Sequence, residues 1–157
     1  MHPQPLEEFG IHYSTHVPFV EALGLRTHIS AFLSDSFYLY SPCLKELVDE
    51  DKVLATGYIW DFGNSTVLEN LGVSLDLPSF VGELGGLNTQ FFVSENKEDS
   101  NLAKFEWVKY FSLFFNLEKE ANEIYEKVVS EYQCAEKNAE MLASDTEERP
   151  TVLWASW

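Results

Sequence analysis

Residues 102–143 constrain this chain more than any other stretch. Leu102 to Phe115 reads as a helix whose apolar character is interrupted only by Lys104, Glu106, Lys109 and Ser112. The last three sit three apart and form one narrow polar stripe, so the helix must be covered on most of its sides. Asn116 follows in the position where a helix ends in a left-handed residue and where Asn substitutes for Gly. From Glu118 the pattern becomes amphipathic: Ala121, Ile124, Tyr125, Val128, Tyr132, Ala135, Ala139 and Leu142 recur at helical spacing, steps of three and four predominating. Lys119 to Glu123 and Glu123 to Lys127 add oppositely charged pairs one turn apart on the wet face. A helix of about 26 residues is roughly 39 Å long, whereas a lobe of about 100 residues is about 33 Å across. The second helix therefore spans such a lobe or reaches past it. After D-T-E-E-R-P comes T-V-L-W-A-S-W, a continuous apolar run of the kind found in a buried parallel strand. A lone strand of that type has nothing to pair with, and it reads as the first strand of another sheet.

The preceding hundred residues alternate short strand and helix signals. Residues 11–14 form a strand candidate. Thr15 stands where it can cap the next helix, with Pro18 in the first turn, Val17, Val20 and Leu23 on the apolar face, and Gly24 as terminator. Residues 28–33 alternate as a strand does. A helix near 43–50 turns Leu44, Leu47 and Val48 inward, Lys52–Thr56 is a third strand, and a short helix carries Val67, Leu68 and Leu71. Residues 73–81 return as a strand whose Pro78 argues for an edge or strand end. G-E-L-G-G-L-N-T, residues 82–89, is expected to be a flexible loop, and Gln90–Ser94 a last strand. Alternation of this kind predicts an α/β fold, a mainly parallel sheet with flanking helices. The domain reading is an N-terminal α/β lobe over 1–100, an interlobe helix region over 101–148, and the first strand of a truncated C-terminal lobe over 149–157. Binding residues then belong in the loops after the carboxyl ends of the strands.

Composition bounds the function classes. Asp plus Glu total 26 against 10 Lys plus Arg, a formal charge of −16. Such acidity opposes binding to nucleic acid or anionic membranes and suits a basic or cationic partner or ligand, although solubility alone also accounts for it. No apolar run approaches the roughly 18 residues of a membrane span. H-P-Q-P-L-E-E after Met1 lacks the basic and apolar regions of a signal peptide. Cys43 and Cys134 are too few and too far apart for a zinc motif or disulfide scaffold, and His12 and His28 lie more than ten residues apart. The sequence contains no G-x-S-x-G elbow, Walker loop or H-E-x-x-H, so the expectation is a non-enzymatic protein without cofactor or metal site.

Four segments, in order, with the terminal P-T-V-L-W after them, resemble the helical-backbone class of periplasmic substrate-binding proteins, in which two α/β lobes joined by one long helix hold a ligand in the cleft. S-T-H-V-P-F-V-E-A-L-G-L is similar to the first strand-to-helix turn and S-P-C-L-K-E-L-V to the second helix. T-V-L-E-N-L-G-V-S-L-D-L is similar to the helix and strand that follow, with Leu75–Asp76 where the family usually has Pro-Asp. L-A-K-F-E-W-V-K-Y-F-S-L-F-F-N-L-E-K-E-A-N is similar to the entry to the interlobe helix, and P-T-V-L-W to strand one of the second lobe. The resemblance implies a solute-binding protein, or a fragment of one, that captures an iron-siderophore, haem or cobalamin-type ligand for an ABC importer. It implies an extracellular or periplasm-like location if the full-length protein has a signal peptide, with none visible here. The ligand-binding candidates are Thr15 and His16 after the first strand, Tyr38 after the second, and Trp60 and Asp61 after the third. His16 reads either as a group that reaches the ligand or as a capping or surface residue. Loop aromatics suit flat or hydrophobic chelates, and equally pack within a lobe. Glu69 lies on the helix where the family often carries a Glu that docks onto the permease, and otherwise reads as a solvated helix residue. The competing readings are an α/β protein whose long helix mediates protein–protein interaction, and a small α/β enzyme.

Overall fold

A computed structural model describes residues 5–55, 80–84, 87–144 and 151–153. Within them lie strands β1 (Phe9–Ile11), β2 (Ile29–Phe32), β3 (Leu54–Ala55), β4 (Phe80–Leu84) and β5 (Leu87–Phe91), with helices α1 (Val17–Ala22), α2 (Pro42–Asp49), α3 (Asn101–Ser112) and α4 (Glu118–Ser144). The sheet runs β3-β2-β1-β4-β5. β1, β2 and β3 are parallel neighbours, with α1 and α2 in the two connections. The expected α/β fold with a parallel sheet and flanking helices is thus present, and it is followed by the long C-terminal helix.

The second half of the sheet differs from the expected loop and strand. Residues 82–84 and 87–89, expected in a flexible loop, belong to strands. β4 pairs antiparallel with β1, and β4 and β5 form a hairpin whose register runs from Phe80↔Phe91 to Leu84↔Leu87. Only Gly85 and Gly86 lie between the last paired residues, which is the spacing of a two-residue hairpin connection. The expected strands 73–81 and Gln90–Ser94 overlap β4 and β5 only at Phe80–Val81 and Gln90–Phe91.

Local chemistry explains the helix boundaries. The 3-10 turn Ser14–His16 runs directly into α1, and the Tyr13 and Ser14 carbonyls take the His16 and Val17 N–H groups. Pro18 has no N–H to satisfy. Thr15 is therefore exposed and forms no cap, contrary to expectation. Ser41 and Ser100 do cap, their hydroxyls accepting from Leu44 N and Ala103 N at 3.2 and 3.1 Å. Gly24 ends α1 at φ 75°, with Leu25 N bonded to Val20 O and Gly24 N to Glu21 O, the paired bonds of a Schellman motif. Asn116 takes the same left-handed conformation after α3, as its sequence position predicts, and Asp51 takes it after α2.

The core gathers Phe9 and Ile11 of β1, Phe32 of β2, Val17 and Val20 of α1, Leu44 of α2, and Val108 and Phe111 of α3 around one centre. Phe111 stacks on Phe19 at 5.4 Å, and Phe115 meets Phe9 at 5.2 Å. Leu6 N also bonds to Phe114 O at 2.8 Å, tying the N-terminal segment to the end of α3. On α4, Ala121 is fully buried, and Ile124 and Tyr125 pack partly buried against the same core. Val128 and Val129 are half-buried, and every residue from 130 to 142 is exposed. Tyr132, expected to pack on the lobe, is 44% exposed. At 27 residues and 1.5 Å per residue the helix is about 40 Å long, so its outer half lies beyond the surface on which its inner half packs. Thr151, Val152 and Leu153, the described part of the expected strand 149–157, have no regular secondary structure and are exposed.

Candidate functional site

In a parallel sheet the loops leaving the carboxyl ends of the strands share one edge. Leu33 N donates to Ile11 O at 2.8 Å, so the segments after β1 and β2 leave that edge side by side. After β1, the His12 ring is buried and stacks on Tyr13 at 4.3 Å and 13°. Tyr13 is itself exposed and meets the His16 ring edge-on at 5.3 Å. After β2, Asp35 accepts the Phe37 N–H at 2.7 Å and folds the loop into a tight turn. Leu39 is buried and anchors that turn. The anchor leaves Phe37 77%, Tyr38 37% and Tyr40 78% exposed. Phe37 and Tyr38 stand edge to face at 5.3 Å and 88°. Exposed aromatic rings beside one another on a strand-end loop are groups of the kind that can contact apolar or flat ligands.

His16 does not stand at this surface. It is 2% exposed, and its Nε2 lies 2.8 Å from Glu95 Oε2, with Phe111 5.8 Å away on another side. This arrangement differs from both expectations, a ligand-reaching His and a surface or capping His. The turn Ser14–His16 directs the ring inward because α1 begins at the next residue and buries Val17 beneath it. Glu95 opens the 3-10 turn Glu95–Lys97 after β5 and is buried too. The pair joins the β1–α1 turn to the β5–α3 connection across 79 residues of sequence. No sequence signal singled out Glu95, since its partner is distant and its neighbours are polar. Among the described residues no group of three or more His, Cys, Asp or Glu is placed to hold a metal ion.

Of the other candidates, Thr15 is exposed on the turn after β1. Trp60, Asp61 and Glu69 lie outside the described residues, as do Val67, Leu68 and Leu71 of the expected short helix. Cys43 and Cys134 are free and exposed. Among the described residues no helix is long and apolar enough to cross a membrane.

A concavity of about 310 Å³ lies on α3 and is lined by Glu98, Ala103, Glu106, Trp107 and Tyr110. Trp107 Nε1 donates to Glu98 at 3.0 Å, and Lys109 pairs with Glu106 at 2.9 Å while its ammonium sits 3.9 Å over the Tyr125 ring. Burial pushes the Tyr110 phenol above the ordinary tyrosine range. Compared with known proteins, the chain matches no family model, no curated protein and no solved structure.

Proposed function

We propose that this chain is a solute-binding protein of the helical-backbone class, or a lobe of one, that captures an iron chelate, haem or cobalamin-type ligand for ABC-type import. The observation that carries the reading is the exposed ring set Phe37, Tyr38 and Tyr40 on the loop after β2, beside Tyr13 after β1. Those rings occupy the edge at which open α/β sheets take ligands. The order of elements supports it as well: parallel strands with intervening helices, then a helix that outruns its own lobe. In this reading Tyr13, Tyr38 and Tyr40 contact the chelate, with Thr15 at the rim and Trp60 and Asp61 contributed by the loop after β3. His16, being buried, holds Tyr13 in place. Glu69 docks on the permease, and the location is extracellular or periplasm-like if the protein has a signal peptide. A formal charge of −16 selects neutral or cationic chelates over anionic ones.

The test is titration with ferric trihydroxamate, ferric tris-catecholate, haem and cobalamin, read by tryptophan fluorescence and ligand absorbance. Binding of a neutral or cationic chelate, weakened about tenfold or more in a Tyr38→Ala, Tyr40→Ala variant, is expected, since stacked aromatics contribute on the order of a kcal/mol each. Failure of all four to bind, or binding indifferent to both tyrosines, sinks the reading.

A second reading has its own observation. The outer half of α4 keeps its apolar spacing where no part of the lobe buries it, with Tyr132 exposed. That favours a protein whose long helix docks a partner chain.

A further inference from the structure

The seam of α4 is a heptad. Ala121, Tyr125, Val128, Tyr132, Ala135, Ala139 and Leu142 follow one another at alternating steps of four and three, the repeat that keeps one stripe facing a neighbouring helix. Its inner portion is used: Ala121 and Tyr125 pack on the core beside α3. Its outer portion continues the same stripe into solvent, with Tyr132 44% and Leu142 71% exposed and Ala135 and Ala139 exposed between them. The seam is therefore continuous with an established helix–helix interface.

We infer that the outer seam of α4 docks an amphipathic helix of another protein, one that carries Lys or Arg on both sides of its apolar stripe. This rests on the second reading of the long helix given above and is independent of ligand capture at the strand ends. The positions flanking the outer seam decide the charge of the partner. Glu131 and Glu136 lie there, at g and e of the heptad, whereas Lys127 and Lys137 lie at the outer c and f positions. Lys127 reaches Glu131 only at 3.9 Å, with both side chains exposed, and such pairs are weak.

A second copy of the chain fits poorly. In a parallel pair, g of one helix meets e of the other five residues on, which sets Glu131 against Glu136. In an antiparallel pair, e meets e and g meets g, and the register centred on Glu136 brings its two copies together. Like charges at these positions oppose pairing. Basic residues in the partner convert both contacts into attractions. Ala135 and Ala139 further specify the partner. Between Tyr132 and Leu142 they leave two shallow sites that large apolar side chains on the opposing helix fill.

The experiment uses the intact chain and a synthetic helical peptide of three heptads, with Leu at a and d and Lys at e and g, followed by calorimetry and sedimentation. A control peptide carries Glu at e and g. The expected result is a monomeric chain that binds the Lys peptide one to one, more weakly as salt rises, and does not bind the Glu peptide. Glu131→Lys with Glu136→Lys should weaken the Lys peptide about tenfold or more and admit the Glu peptide. Tyr132→Glu should abolish binding without unfolding an exposed helix segment. Equal binding of both peptides, or binding unaffected by these variants, overturns the proposal. A chain that dimerises, and becomes monomeric in Tyr132→Glu, keeps the helix as a docking element but overturns the basic partner. No peptide binding together with no dimer removes both.

Discussion

At the residue scale, the His16–Glu95 pair is the feature with the most consequence. Both groups are buried, and each is held by the other at 2.8 Å. Replacing one partner leaves the other buried without its counterpart, at a cost of about 3 kcal/mol or more for a charged group. His16→Leu should therefore destabilise strongly. Glu95→Gln keeps a hydrogen-bonding group and should cost about 1 kcal/mol. Urea unfolding of the two variants checks this, and equal losses would show that the pair is only packing. His16→Leu should also release Tyr13, whose ring His16 meets edge-on. Tyr110 yields the pH-dependent case. Burial raises its folded-state pKa, so its contribution is intact below the unfolded tyrosine value of about 10 and is lost as pH climbs through the folded value. Tyr110→Phe removes this dependence. The stability of the parent relative to Tyr110→Phe should fall as pH rises above about 10, measured by parallel unfolding at each pH.

At the scale of elements, termini and faces behave differently along the chain. α2 ends on Asp51 at φ 57°, with Lys52 N bonded to Leu47 O at 2.9 Å. A side chain with a Cβ is strained there, so Asp51→Gly should stabilise by about 0.5–1 kcal/mol. A lower melting temperature would mean that the Asp side chain makes a compensating contact. α4 is one continuous helix with two environments. Ile124 packs partly buried against the core, whereas Tyr132 does not. Ile124→Asp should cost about 2 kcal/mol or more through a half-buried carboxylate and lost packing. Tyr132→Asp should stay within about 0.5 kcal/mol of the parent. Similar melting of both variants would contradict the division of the helix.

At the scale of the whole molecule, one core serves the parallel strands, α1, α2, α3 and the first turns of α4. The outer half of α4 draws little from it. A helical stretch held mainly by its own backbone bonds opens locally, because isolated helices shorter than about 12–15 residues are marginal in water. Amide exchange from about residue 130 to 144 should be much faster than from 118 to 129 and independent of global stability. Uniform protection along α4 would mean that a further surface covers the outer half. Docking of a partner helix should then slow exchange selectively from Ser130 onward.

The sequence by itself determined the main helices of the described residues and two of their ends. Gly24 and Asn116 act through their own backbone, and the 3.6-residue spacing of 118–143 needs no distant partner to be read. It also determined the parallel order of β1 and β2, since a helix between two short strands leaves few other topologies. Three things were decided only in the folded chain. The hairpin of β4 and β5 depends on pairing with β1, which no local pattern in F-V-G-E-L reveals. The inward turn of His16 depends on Glu95, a residue brought near by the sheet. The exposure of Tyr132 depends on where the lobe ends, and periodicity is the same on either side of that boundary. Local propensity and spacing are short-range properties of the chain, whereas burial and charge pairing are set by what lies across the fold.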